Sequence, residues 1–196
     1  MELINRIEQH FQESVSTQQA TQLLLAPMIA EAAGRIVQAL ISDGKLLVCG
    51  NGGSAACAQL LASEMVGRFE MERPGLAALA LSTDSTTLTS IANDYDYDLV
   101  FSKQVYALGR TGDVLIVVSS SGNSPNVISA IHAAHDRQMG VIALTGRDGG
   151  QVAEVLGGED ILLCVPVERT CRVREAHLTI IHALCDAVDF TLLGGE

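Results

Sequence analysis

The segment that most restricts how this chain can fold runs from Lys45 to Glu70, KLLVCGNGGSAACAQLLASEMVGRFE. Four consecutive apolar residues, 46–49, read as a strand buried on both faces. They break into Gly50-Asn51-Gly52-Gly53-Ser54, after which Ala55, Ala58, Leu61, Ala62 and Met65 recur at helical spacing. A strand that turns through glycines straight into a helix presents the helix's first N–H groups, which lack partners and sit at the positive end of the dipole. That is an anion site. Ser54 stands where an N-cap belongs. A plain strand-to-helix connection needs one glycine rather than three, so the segment favours phosphate binding.

The logic repeats downstream. An apolar run at 114–118 leads into Ser119-Ser120-Ser121-Gly122-Asn123-Ser124, and after Pro125 a helical pattern uses Val127, Ile128, Ala130, Ile131 and Ala134. A serine cluster alone is ordinarily a solvated loop. Placed between a buried strand and a helix, the hydroxyls of Ser119, Ser120, Ser121 and Ser124 suit the oxygens of a phosphate monoester.

The rest of the chain supplies the frame. Residues 2–42 form two helical patterns broken near Pro27, the first with Ile4, Ile7, Phe11, Val15 and Gln18 on one face. That stripe is narrow and precedes the sheet, so it is expected to pack against neighbouring subunits; the alternative is a helix laid on its own domain. Further strands are predicted at 76–81, 139–144 and 160–165, and helices at 86–93, 101–108, 151–156 and 170–193. Alternation without hairpin signals predicts an α/β fold: a doubly wound parallel sheet flanked by helices in three flavodoxin-like layers, with ligands at the C-terminal edges of the strands. The whole of 1–196 is expected to be one domain, 1–42 being N-terminal helices for oligomerisation and 43–196 the α/β core with its C-terminal helix.

Composition narrows the partners. At 196 residues and 48% hydrophobic, the chain can bury a substantial core. A net charge of −11 without a basic stripe argues against direct binding of nucleic acid or an anionic membrane. A phosphorylated ligand can still bind, because the donors above are local and uncharged. No cationic, then apolar, then small-residue leader and no bilayer-length apolar run is evident, so a cytoplasmic location is expected. Five cysteines, Cys49, Cys57, Cys164, Cys171 and Cys185, are odd in number and lack paired spacing, which fits buried thiols.

GNGGS after a strand, IANDY at 91–95, SSSGNS at 119–124, ALTGRDGG at 143–150 and the late RVREAHLTIIH together resemble the sugar isomerase (SIS) domain. Within it the chain is similar to the phosphoheptose (sedoheptulose 7-phosphate) isomerases and to their relative, the DnaA initiator-associating protein. The resemblance implies a homotetramer with active sites between subunits, an aldose–ketose isomerisation feeding lipopolysaccharide heptose, and a substrate site of Asn51, Gly52, Gly53, Ser54, Asn93, Asp94, the four serines and Arg174. Asn93 and Asp94 read otherwise as a helix C-cap. Glu64 and His182 fall on the family's acid and base positions. Without the resemblance, each reads as an ordinary helical residue, a solvated Glu and a hydrogen-bonded core His.

The family also implies zinc, held by the Glu and late His together with a His four residues before the Glu and a Gln eight residues before the late His. Here those two positions are Leu60 and Arg174, and Cys57 stands where the family has an Asp. Zinc as the family binds it is therefore expected to be absent, with Glu64 and His182 the only matching ligands. Two functions follow as alternatives to weigh: the isomerase, favoured by the intact Glu64 and His182, and a non-catalytic scaffold that binds the replication initiator DnaA, favoured by the lost ligands. A sensor that binds phosphosugar without converting it is the third.

Overall fold

The computed structural model describes residues 2–194. The chain begins with one helix, α1 (Glu2–Ile41), and then alternates: β1 (Leu46–Gly50), α2 (Gly53–Val66), β2 (Ala78–Ala80), α3 (Ser85–Asp94), a short 3-10 turn Tyr97–Leu99, α4 (Ser102–Leu108), β3 (Val114–Ser119), α5 (Pro125–Asp136), β4 (Gly140–Gly146), α6 (Gly150–Val155), β5 (Ile161–Val165) and α7 (Thr170–Leu193). All strand pairs are parallel, in the order β2-β1-β3-β4-β5. This is the flavodoxin-like order, whose direction reverses between β1 and β3. The crevice outside the carboxyl ends of those two strands is where such sheets bind ligands.

Side-chain alternation divides the core into two layers. Leu46, Val48, Ile116 and Val118 face α1, α2 and α7, whereas Leu47, Cys49, Leu115 and Val117 face α4, α5 and α6. Strands β1 and β3 are buried along their entire length, as their unbroken apolar runs require.

The break expected near Pro27 is not there, because α1 runs through it for 40 residues. A proline inside a helix costs the hydrogen bond to the carbonyl four residues back. Here both Pro27 and that residue, Leu23, are exposed, so water takes the freed carbonyl while Leu25, Ala32, Ala33, Ile36 and Val37 stay packed on the sheet. The predicted strand 76–81 shrinks to Ala78–Ala80, since the Leu76 N–H bonds the Met65 carbonyl at the end of α2 instead of the sheet (2.9 Å). Strand β4 extends two residues beyond the predicted end, and α7 begins and ends where expected.

Two helices, α1 and α7, are long and apolar enough to cross a bilayer by length and composition, contrary to the reading of the sequence. Part of each apolar stripe covers the sheet and the other helix. The first half of α1 is the exception. Leu3, Ile4, Ile7, Phe11, Val15, Leu23 and Leu24 are all at least half exposed. That half is held to the start of α7 by polar contacts: Arg169 bonds Glu13, Arg172 donates to the His10 carbonyl (2.5 Å), and Ser14 donates to Glu175 (2.8 Å).

Candidate functional site

The two loops picked out by sequence meet at the reversal of strand order. After β1 the chain turns at Gly52, whose φ of 56° starts α2 at Gly53. Gly52 is thus the N-cap, and Ser54 is not. Ser54 lies inside the first turn with its side chain buried, and its N–H bonds the Asn51 carbonyl (3.0 Å). The left-handed residue begins the helix two positions earlier than a serine cap would.

After β3, Gly122 at φ 66° closes the serine loop, its N–H on the Ser119 carbonyl (3.0 Å). A Cβ there would stand 1.8 Å from the Gly149 carbonyl oxygen, so the loop after β4 presses directly on this turn. Asn123 ties the two together, its Oδ1 accepting the Gln151 N–H (3.0 Å) and its Nδ2 donating to the Ser121 carbonyl (2.9 Å). Among the described residues, no hydroxyl of Ser119, Ser120, Ser121 or Ser124 donates a hydrogen bond; Ser121 Oγ only accepts one, from the Asn123 N–H. A loop held from outside with its hydroxyls uncommitted is built to receive acceptor oxygens.

A bridge joins the loops that sequence reading did not anticipate. Asn51 and Asn126 exchange amide hydrogen bonds of 2.8 and 3.0 Å, and Tyr97 donates to Asn51 Oδ1 (3.3 Å). Asn126 is buried. An asparagine in line with Ala130 and Ala133 on the apolar stripe of α5 was the available signal. Tyr97 also links the first turn to the segment carrying Asn93 and Asp94, both exposed at the end of α3, where Asn93 donates to Asp94 (2.8 Å).

Arg174, on α7, lays its guanidinium over the start of α2. A Cβ on Gly53 would lie 3.0 Å from its Cζ and one terminal nitrogen. Arg174 is exposed and forms no ion pair or hydrogen bond among the described residues, so its charge stands free at the mouth of the turn. It is felt nearby. Burial raises the Cys57 thiol above its ordinary range and Arg174 partly opposes that. Burial also pushes His177 down to about 4, with Arg174 adding to the effect. His177 is therefore neutral at pH 7 and donates through Nε2 to the Thr145 carbonyl (2.9 Å).

Glu64 and His182 lie elsewhere, at the far end of the same helix pair. Glu64 is half-buried, and His182 is exposed with its ring 5.7 Å from that of Phe69. Burial, with Glu64's charge adding to it, lifts the thiol of Cys185, three residues after His182, to about 12. Beneath them Arg73 locks the end of α2. It donates to the Glu64 and Met65 carbonyls (2.9 Å each) and pairs with Asp189 (2.5 Å). Glu64 is eleven residues beyond Gly53 and His182 eight beyond Arg174, or about 16 and 12 Å of helix rise. One chain thus holds its serine loop and Arg174 at the sheet edge and its Glu64 and His182 well below it.

Comparison with known proteins places the fold in a family. The SIS domain model matches residues 9–146. A curated phosphoheptose isomerase from Laribacter hongkongensis is 64% identical over the full length of both chains. The solved phosphoheptose isomerase of Neisseria gonorrhoeae is 53% identical and superposes with a TM-score of 0.91, covering 95% of this chain and 98% of that one. The structure from Francisella tularensis gives 43% and 0.94, covering 96% and 99%.

Proposed function

The chain belongs to the SIS domain family, among the phosphoheptose isomerases, and from that membership we infer that it interconverts sedoheptulose 7-phosphate and the corresponding heptose 7-phosphate. It is an aldose–ketose isomerase of the route to lipopolysaccharide heptose. The observation that carries the reading is the meeting of two strand-to-helix loops at the β1/β3 reversal, one of them with free hydroxyls for a phosphate.

The isomerisation moves hydrogen without net change of formula. A base takes the proton from the carbon beside the carbonyl, the bonding pair becomes the C=C of an enediolate, and the carbonyl oxygen gains the negative charge. A proton is then returned to the neighbouring carbon and another passes between the two oxygens. Glu64 on α2 and His182 on α7, which fall on the family's acid and base positions, are assigned as the groups that carry these protons. Ser119, Ser120, Ser121 and Ser124 take the phosphate, and Asn51, held by Asn126, faces the sugar with Gly52, Gly53 and Ser54. Asn93 and Asp94 are assigned to the sugar hydroxyls through their connection at Tyr97.

The separation along α2 supports an oligomer. A second copy that sets its own Glu64 and His182 over the serine loop of the first completes the site, and a homotetramer with sites between subunits meets that need. The exposed stripe of α1 and the apolar groove of about 320 Å³ between α1 and α7, lined by Thr21, Ala26, Ile29, Ala183 and Ala187, supply the surface to be covered. A cytoplasmic location suits a phosphosugar substrate. The scaffold reading has only Leu60 and Arg174 in its favour.

The test is turnover of sedoheptulose 7-phosphate. Glu64→Gln and His182→Asn are each expected to lower kcat by about 10²–10⁴-fold with the fold intact. Wild-type protein that converts no sedoheptulose 7-phosphate but captures DnaA would replace the enzyme with the scaffold.

A further inference from the structure

The residues present do not fit the zinc site that the family implies. Leu60 packs its side chain against the core layer beneath α2. Arg174 has no lone pair to give and carries the charge of the ion it would have to bind. Cys57 is seven residues before Glu64, about 10 Å of helix rise, too far for one ion to bind both in one chain. Among the described residues, no three His, Cys, Asp or Glu side chains gather to hold a metal. Association restores neither lost ligand, since every copy brings the same Leu60 and the same Arg174.

A positive charge is nonetheless present. The bridge of Asn51 and Asn126 divides the crevice: the serine loop leads into α5 on one side, and Gly53 and Arg174 belong to the α2 and α7 layer on the other. A phosphosugar anchored by its phosphate in the serine loop and crossing that bridge brings its carbonyl end towards Arg174. Resting on the isomerase reading, we propose that this chain carries out its reaction without a bound metal, with the Arg174 guanidinium donating to the oxygen that becomes negative in the enediolate. A planar, permanently charged group with several N–H donors is suited to an oxyanion. It needs no deprotonated ligands and adds no atom or electron to the balance given above.

The experiment combines metal content with rate. Purified full-length protein dialysed against EDTA is expected to carry far less than one zinc per chain by mass spectrometry of the metals. It should convert sedoheptulose 7-phosphate at an undiminished rate, unchanged by added zinc. Arg174→Ala should lower kcat by about 10²–10³-fold with a smaller change in KM and an unaltered melting temperature, and Arg174→Lys should keep more of the rate. The double variant Leu60→His with Arg174→Gln should take up zinc and become sensitive to EDTA. Wild-type turnover that EDTA abolishes and zinc restores would overturn the proposal and leave the isomerase standing. So would an Arg174→Ala variant with full kcat, or a double variant that still takes up no zinc. Wild-type protein inert under every metal condition would overturn both readings together.

Discussion

The two ends of α2 are finished in opposite ways. At its start the helix leaves a strand through glycines, lies under an unpaired guanidinium and faces a loop whose hydroxyls are uncommitted. At its end Arg73 occupies the terminal carbonyls and pairs with Asp189, with the two side chains only 1% and 3% exposed. The open end can take a ligand because its polar groups are unsatisfied by the protein. The closed end fixes the backbone at Glu64 because Arg73 takes its carbonyl and that of Met65. A site that must bind at one place and transfer protons at another needs both kinds of ending on a single rigid rod.

Breaking the closed end has the largest expected consequence. Arg73→Met strands Asp189 as an unpaired buried carboxylate and frees the Glu64 and Met65 carbonyls, so urea unfolding should show a loss of about 3–5 kcal/mol. Adding Asp189→Leu should recover much of it, because the pair's own burial is costly. If Arg73→Met unfolds with wild-type stability, the end of α2 is not held as described.

The open end carries a titration in place of an ion pair. His177, three residues after Arg174, is wholly buried and neutral, its pKa lowered from 6.5 to about 4 chiefly by burial. The unfolded chain binds this proton near pH 6.5 and the folded chain only near 4. Stability from this residue is therefore complete above 6.5 and is lost as pH falls towards 4, by about 3 kcal/mol over the whole interval. Between pH 7 and 5, wild type should lose about 2 kcal/mol more than His177→Gln, whose amide can still donate to the Thr145 carbonyl. Equal losses would mean that the imidazole is not buried neutral.

The contrast between the ends also marks what sequence could reveal. The open end was legible because apolar runs, glycines and serines act locally: β1, β3 and both loops depend on neighbours in the chain. The closed end was not. Arg73 follows Glu70-Met71-Glu72 and reads as solvated, and only the return of α7, 116 residues later, supplies Asp189. Asn126 was hidden in the same way, its partner lying 75 residues back. Pro27 misled because its cost depends on which side of the helix meets water, a property of the packed fold. Leu60 and Arg174 show a third case, where residue chemistry set against the family's pattern announced that the zinc ligands were missing but could not say that the guanidinium rests on Gly53.

The smallest expected change in stability is also the finest test of the open end. Gly53 is a helical residue without a positive φ, so alanine fits its backbone and should be neutral or stabilising by up to about 1 kcal/mol. Its Cβ would meet the far end of Arg174 first, at 3.0 Å, and a flexible side chain yields to that contact. The guanidinium should then move off the turn. Gly53→Ala is thus expected to keep or raise the melting temperature while lowering kcat on sedoheptulose 7-phosphate, and Arg174→Ala in the same background should add little further loss, since the group is already displaced. If instead Gly53→Ala keeps full turnover, Arg174 acts from some place other than the start of α2, and the two ends differ in stability alone.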